Sequence, residues 1–69
     1  MSTTRRYIVH GMTCSHCVMS VREEVSEIPE VTSVDVDLVS GRLTVEGTTL
    51  RDEAVLAAVA DAGYEAVTA

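Results

Sequence analysis

Apolar residues in this chain recur at two spacings that take turns along its 69 residues, and that alternation restricts the fold more than any other feature. In Tyr7-Ile8-Val9-His10, Tyr7 and Val9 share one side of a strand, which Gly11 ends with a backbone free to take unusual angles. From Cys17 the spacing changes: Val18, Val21, Val25 and Ile28 form a helical stripe, Arg22, Glu23, Glu24 and Glu27 fill the outer side, and Pro29 stops the helix. Strand periodicity returns over Val31 to Val39, with Val34, Val36 and Leu38 inward and Ser33, Asp35 and Asp37 outward. Ser40-Gly41 then turns the chain into Arg42-Leu43-Thr44-Val45-Glu46, predicting a hairpin with one wet face. A second amphipathic helix is predicted from Leu50 to Ala62, with Thr49 as N-cap, Val55, Ala58, Val59 and Ala62 as buried stripe and Gly63 as stop, before a last strand over Tyr64 to Val67.

The order strand, helix, strand, strand, helix, strand is the split βαβ arrangement. It predicts an α+β, ferredoxin-like βαββαβ sandwich, a four-stranded antiparallel sheet with both helices on one face. In that topology the loops after strand one and before strand four emerge at the same end, which would bring Gly63-Tyr64 near Cys14 and Cys17.

Sixty-nine residues make a single domain, 1–69, near the lower size limit for independent folding. With 46% apolar residues but only two aromatics, Tyr7 and Tyr64, the core is expected to be aliphatic. Eleven acidic residues against five basic give a net charge of −6, which argues against nucleic-acid binding and favours a basic partner surface. No stretch reaches the roughly 20 apolar residues that cross a bilayer, and the start has no apolar signal region, so no membrane insertion is expected and the chain reads as cytosolic.

The chemistry concentrates in Gly11-Met12-Thr13-Cys14-Ser15-His16-Cys17, where a strand ends and a helix begins. The only two cysteines sit three apart and can act together on one soft ion or in one redox event. At a helix start, free backbone N–H groups and the positive end of the dipole favour thiolate over thiol. In a reducing compartment such a pair is a ligand set or a redox couple rather than a structural staple. Soft thiolates select Cu(I), and two ligands on a loop leave the ion open to an incoming thiolate. A closed zinc site would need further ligands that are not close by.

With this motif, with Pro29-Glu30-Val31 leading into Ser33-Val34-Asp35-Val36-Asp37, and with Asp61-Ala62-Gly63-Tyr64-Glu65, the chain resembles the heavy-metal-associated domain family over nearly its whole length. Within it the resemblance is to the small bacterial copper chaperones of the CopZ type. The resemblance implies Cu(I) held by Cys14 and Cys17 in an exposed, low-coordinate site and passed on by thiolate exchange. It implies a copper-transporting P-type ATPase as acceptor, a copper-sensing repressor as a further one, and a monomer without copper that copper bridges into a homodimer. Zinc- and lead-exporting relatives carry an acidic residue where this chain has Thr13, which favours monovalent copper.

The neighbouring residues have plain readings beside the functional ones. Met12 fills an irregular gap and anchors the loop rather than ligating, and Met19 sits at the rim. His16 is either solvated or a cationic tuner of the thiolates, and His10 is an exposed sheet residue. Tyr64 is either a half-buried aromatic or, as in the CopZ-like proteins, a shield over the metal loop. Glu23, Glu24, Glu27 and Glu30 make a solvated face or steer a basic partner.

Two other functions compete with a free copper carrier, which is not expected to be an enzyme. One is the amino-terminal metal-binding domain of a copper-transporting ATPase, which would look similar; Met1 at the start and the end soon after strand four favour the free protein. The other is thiol-disulfide exchange, yet the thioredoxin-like fold needs a longer chain and a cis-proline loop, and the sole proline follows helix one. A mercury-binding protein is a third option beyond these two; such relatives share the motif but are usually exported, and no signal peptide is read at the start.

Overall fold

A computed structural model of the protein describes residues 2–69. Strand β1 (Thr3–His10) leads to helix α1 (Ser15–Ser26), the hairpin β2 (Val31–Asp37) and β3 (Arg42–Gly47), helix α2 (Asp52–Asp61) and strand β4 (Glu65–Thr68). The strands form one antiparallel sheet in the order β2-β3-β1-β4, the expected ferredoxin-like arrangement. α1 lies against β2 and α2, and α2 against β4.

The period-2 pattern decides which sheet face is buried. Tyr7, Val9, Leu43 and Val45 point to the helices and meet Val21, Val25, Val55, Ala58 and Val59 in one core. The opposite face carries Arg6, His10, Arg42 and Glu46, all exposed. The core is not purely aliphatic: Tyr7 is its largest fully buried side chain, and its hydroxyl donates to Asp52 Oδ1 at 2.8 Å, so the phenol is satisfied where β1 meets the start of α2. Burial and the bond to Asp52 raise the Tyr7 pKa to about 12.

Several boundaries differ from the sequence reading. β1 starts at Thr3 rather than Tyr7, because exposed Thr3 to Arg6 pair with β3 and carry no burial signal. β2 ends at Asp37, so Leu38 is not an inward strand residue but is exposed in the loop Leu38–Gly41. There Asp37 Oδ1 accepts the Val39 N–H at 3.0 Å and the Gly41 N–H bonds back to the Asp37 carbonyl at 2.9 Å, which closes a four-residue turn. α2 begins at Asp52 with Arg51 as its N-cap and no side-chain cap, so Thr49 does not cap it. Thr49 instead takes φ +53° in the crossover from β3, where the Thr48 N–H bonds to the Glu30 carbonyl at 3.0 Å. That approach is close enough that a Cβ on Gly47 would collide with the Glu30 carbonyl oxygen. Tyr64 belongs to the stop of α2, and β4 starts one residue later at Glu65.

Candidate metal centre

The loop of residues 11–14 leaves β1, crosses the end of the sheet and enters α1. Gly11 makes the departure with φ +98°, a value that side chains other than glycine's rarely allow. Met12 turns inward, half-buried against the core, so the packing reading holds and the thioether anchors the loop. Cys14 is the extended N-cap of α1, its carbonyl accepting the Cys17 N–H at 3.1 Å and the Val18 N–H at 3.4 Å. Cys17 falls in the first turn, and the two sulfurs lie 3.6 Å apart as free thiols. Cys14 is exposed and Cys17 half-buried, so the pair opens to solvent on the Cys14 side.

Tyr64 arrives from the far side of the sandwich. Gly63, at φ +95°, ends α2 with paired bonds from the Gly63 N–H to Ala60 (2.9 Å) and from the Tyr64 N–H to Val59 (3.1 Å), the Schellman geometry that turns the chain sharply. This turn delivers the Tyr64 ring to Gly11, where an added Cβ would stand 3.4 Å from the ring. The proximity expected from the topology is therefore real, and it is the positive φ of Gly11, rather than the ring beside it, that calls for glycine.

The electrostatics single out Cys17. Its pKa is lowered from 9.0 to about 6, first by the backbone N–H of Thr13, then by the Tyr64 hydroxyl; partial burial opposes this, and the Cys14 thiol and N–H add to it. The main donor therefore stands in the loop before the helix rather than in the helix's first turn. A backbone amide leaves no mark in a sequence, so nothing in the residue types could have identified this role of Thr13. The Thr13 hydroxyl lies 3.9 Å from the Cys17 sulfur. Tyr64 shows the reciprocal effect: its pKa is raised by its bond to Cys17, by burial and by the charges of Cys17 and Cys14, so the phenol stays a donor. α1 has no acidic residue in its first turn to oppose a thiolate.

The remaining residues named from the sequence divide around this centre. His16 and His10 are exposed, and among the described residues no cluster of three or more His, Cys, Asp or Glu side chains forms. Met19 is exposed and, with Arg22, Glu23, Ser26 and Glu27, lines a shallow hollow on the outer side of α1. Glu24 is half-buried and Glu30 exposed. Two adjacent thiols, one of them a thiolate near neutral pH, can hold one soft ion and still accept a third sulfur from outside. No helix is long and apolar enough to cross a membrane among the described residues.

The family model of the heavy-metal-associated domain matches residues 6–65. The COP-associated protein of Helicobacter felis is 41% identical over 58 residues, covering 83% of this chain and 88% of that protein. Copper-transporting ATPase 1 of Rhizobium meliloti is likewise 41% identical over 58 residues, 83% of this chain but only 7% of the ATPase. Mercuric reductase of Shigella flexneri is 39% identical over 71 residues, spanning all of this chain and 12% of that enzyme. Among solved structures, a CopZ metallochaperone superposes with a TM-score of 0.88 at 31% identity, over 94% of this chain and 100% of the other.

Proposed function

The chain belongs to the heavy-metal-associated domain family, and from that premise we propose that it is a cytoplasmic Cu(I) carrier. In this reading Cys14 and Cys17 hold the ion and release it by thiolate exchange to a copper-transporting P-type ATPase. The observation that carries it is the open pair of sulfurs, 3.6 Å apart, with Cys17 ionised close to neutral pH and Cys14 facing solvent. A relative named as a copper-transporting ATPase supports the choice of ion, and the open side supports transfer over storage.

In the exchange, an incoming thiolate forms a bond to copper on the Cys14 side, making a third sulfur contact. The bond to Cys14 then breaks, and a second acceptor thiolate replaces Cys17 in the same way, so that two sulfur bonds form as two break, while copper remains Cu(I) and no electron moves. Cys17 leaves as a thiolate held by the Thr13 N–H and the Tyr64 hydroxyl, so it need not capture a proton first. The net charge of −6 and the carboxylates around α1 suit a basic docking surface.

The test is transfer itself. Cu(I)-loaded protein is mixed anaerobically with the segment of Rhizobium meliloti copper-transporting ATPase 1 that aligns with this chain, and the two are then separated and assayed for copper. The proposal expects copper on both proteins within the mixing time, with no copper passing through solution when a dialysis membrane divides them. Copper that stays wholly with the first protein contradicts the carrier reading.

A further inference from the structure

The turn between β2 and β3 stands at the same end of the molecule as the thiols. Register places Arg42, the first residue of β3, beside Ile8 near the end of β1, and the Val9 N–H donates to the Gly41 carbonyl at 2.8 Å, two residues before Gly11. Because α1 packs against β2, the loop of residues 11–14 passes from β1 to α1 over the end of β3, alongside this turn. Tyr64 borders that loop from the α2 and β4 side, so the turn borders it from the other.

What the turn displays is at odds with its position. Hairpin tips are normally polar, yet here Val39 is 97% exposed and Leu38 beside it 37% exposed. Neither side chain contributes to the core, and the fold explains the backbone of the turn without them. That backbone is also fixed: the Asp37 carboxylate holds the Val39 N–H, the Asp37 carbonyl the Gly41 N–H, the Ser40 hydroxyl the Arg42 N–H at 3.3 Å, and the Gly41 carbonyl the Val9 N–H. A rigid apolar projection loses little entropy when it is covered.

We infer that Leu38 and Val39 form an apolar docking tip that the copper-receiving protein covers when its thiolate reaches Cys14. The inference rests on the carrier reading, since exchange at an exposed sulfur pair requires the acceptor to sit on this end of the molecule. Charge selects the occupant: metal-free copies of a −6 chain repel, whereas an acceptor with an apolar recess in a basic surround meets both the tip and the chain's net charge, with Arg42 standing opposite Asp37 at the foot of the turn. The tip supplies contact area and orientation, and the sulfurs supply the exchange.

The experiment compares the protein with its double variant Leu38→Ser, Val39→Ser, and with Val67→Ser, which removes an exposed apolar side chain from the outer sheet face instead. Each is loaded with Cu(I), and transfer is timed to the aligned segment of Rhizobium meliloti copper-transporting ATPase 1 and, separately, to a small chromophoric chelator that has no docking face. The double variant is expected to be about tenfold slower toward the protein acceptor, the size expected from partial burial of two apolar side chains, with unchanged rates to the chelator and with Val67→Ser unaffected. Circular dichroism confirms that the fold is intact. Equal rates for the double variant and the parent protein overturn the proposal, as does equal slowing toward the chelator, which would put the tip's effect on the site itself. A parent protein that supplies the chelator but never the ATPase segment refutes the carrier reading, and the docking tip falls with it.

Discussion

Cys17 offers the sharpest quantitative test of the site. With a pKa of about 6 in place of the ordinary 9.0, it is about 90% thiolate at pH 7, against about 1% for an unperturbed thiol, roughly a ninetyfold gain in the reactive form. Lower basicity also lowers intrinsic nucleophilicity; a Brønsted slope near 0.45 over three units costs about twentyfold. The net expectation is alkylation about fourfold faster than an ordinary thiol at pH 7, on a rate profile that is half-maximal near pH 6 and flat above about pH 7. The assay follows iodoacetamide alkylation of metal-free Cys14→Ser by mass, a background that leaves one sulfur and keeps a hydroxyl where the Cys14 thiol stood. Adding Tyr64→Phe removes the second-ranked donor and moves the midpoint upward, short of 9.0 because the Thr13 N–H remains. A midpoint near 9.0 in the single variant, or one that Tyr64→Phe leaves in place, refutes the electrostatic account of the loop.

Other outcomes follow from the same structure. Because the Cys17 pKa is depressed on folding, its contribution to stability is complete above about pH 9 and is lost as pH falls through about 6; thermal melts of metal-free protein should show this loss, and Cys17→Ser should remove it. Tyr7 runs the other way: raised to about 12, it stabilises fully below pH 10 and loses that effect as pH climbs toward 12, so Tyr7→Phe should flatten alkaline unfolding while costing about 1 kcal/mol near neutral pH through the lost bond to Asp52. Leu43→Ala, at a fully buried position, should cost about 2–5 kcal/mol in denaturant melts. Gly47→Ala should destabilise by more than about 1 kcal/mol, because β3 and the Glu30 carbonyl must separate to admit the methyl group.

Much of this was legible in the residues because two signals agreed. The stripe through Val21 and Val25 and the alternation through Leu43 and Val45 each named their buried face, and the order of elements placed Tyr64 beside the cysteines. What the residue types do not display lies where backbone rather than side chain decides. Thr3 to Arg6 are strand by hydrogen bonding alone, and Thr49 resembled a cap until the crossover from β3 claimed it for a turn. Leu38 read as a continued alternation because a carboxylate cap at Asp37 ends the strand without changing the pattern. Alternation with Val9 gives Tyr7 its face, but spacing does not pair it with Asp52, 45 residues away.

The claim on which the rest depends is that Cys14 and Cys17 together bind Cu(I). Reduced protein titrated anaerobically against a competing chromophoric chelator measures this directly, beside Cys14→Ala and Cys17→Ala and with Zn(II) in parallel. The parent protein is expected to withdraw about one Cu(I) per chain, each variant to lose this ability, and zinc to compete poorly, as follows for a pair of soft thiolates without further ligands. Copper that remains with the chelator, or a single variant that still holds it tightly, contradicts the two-thiolate site.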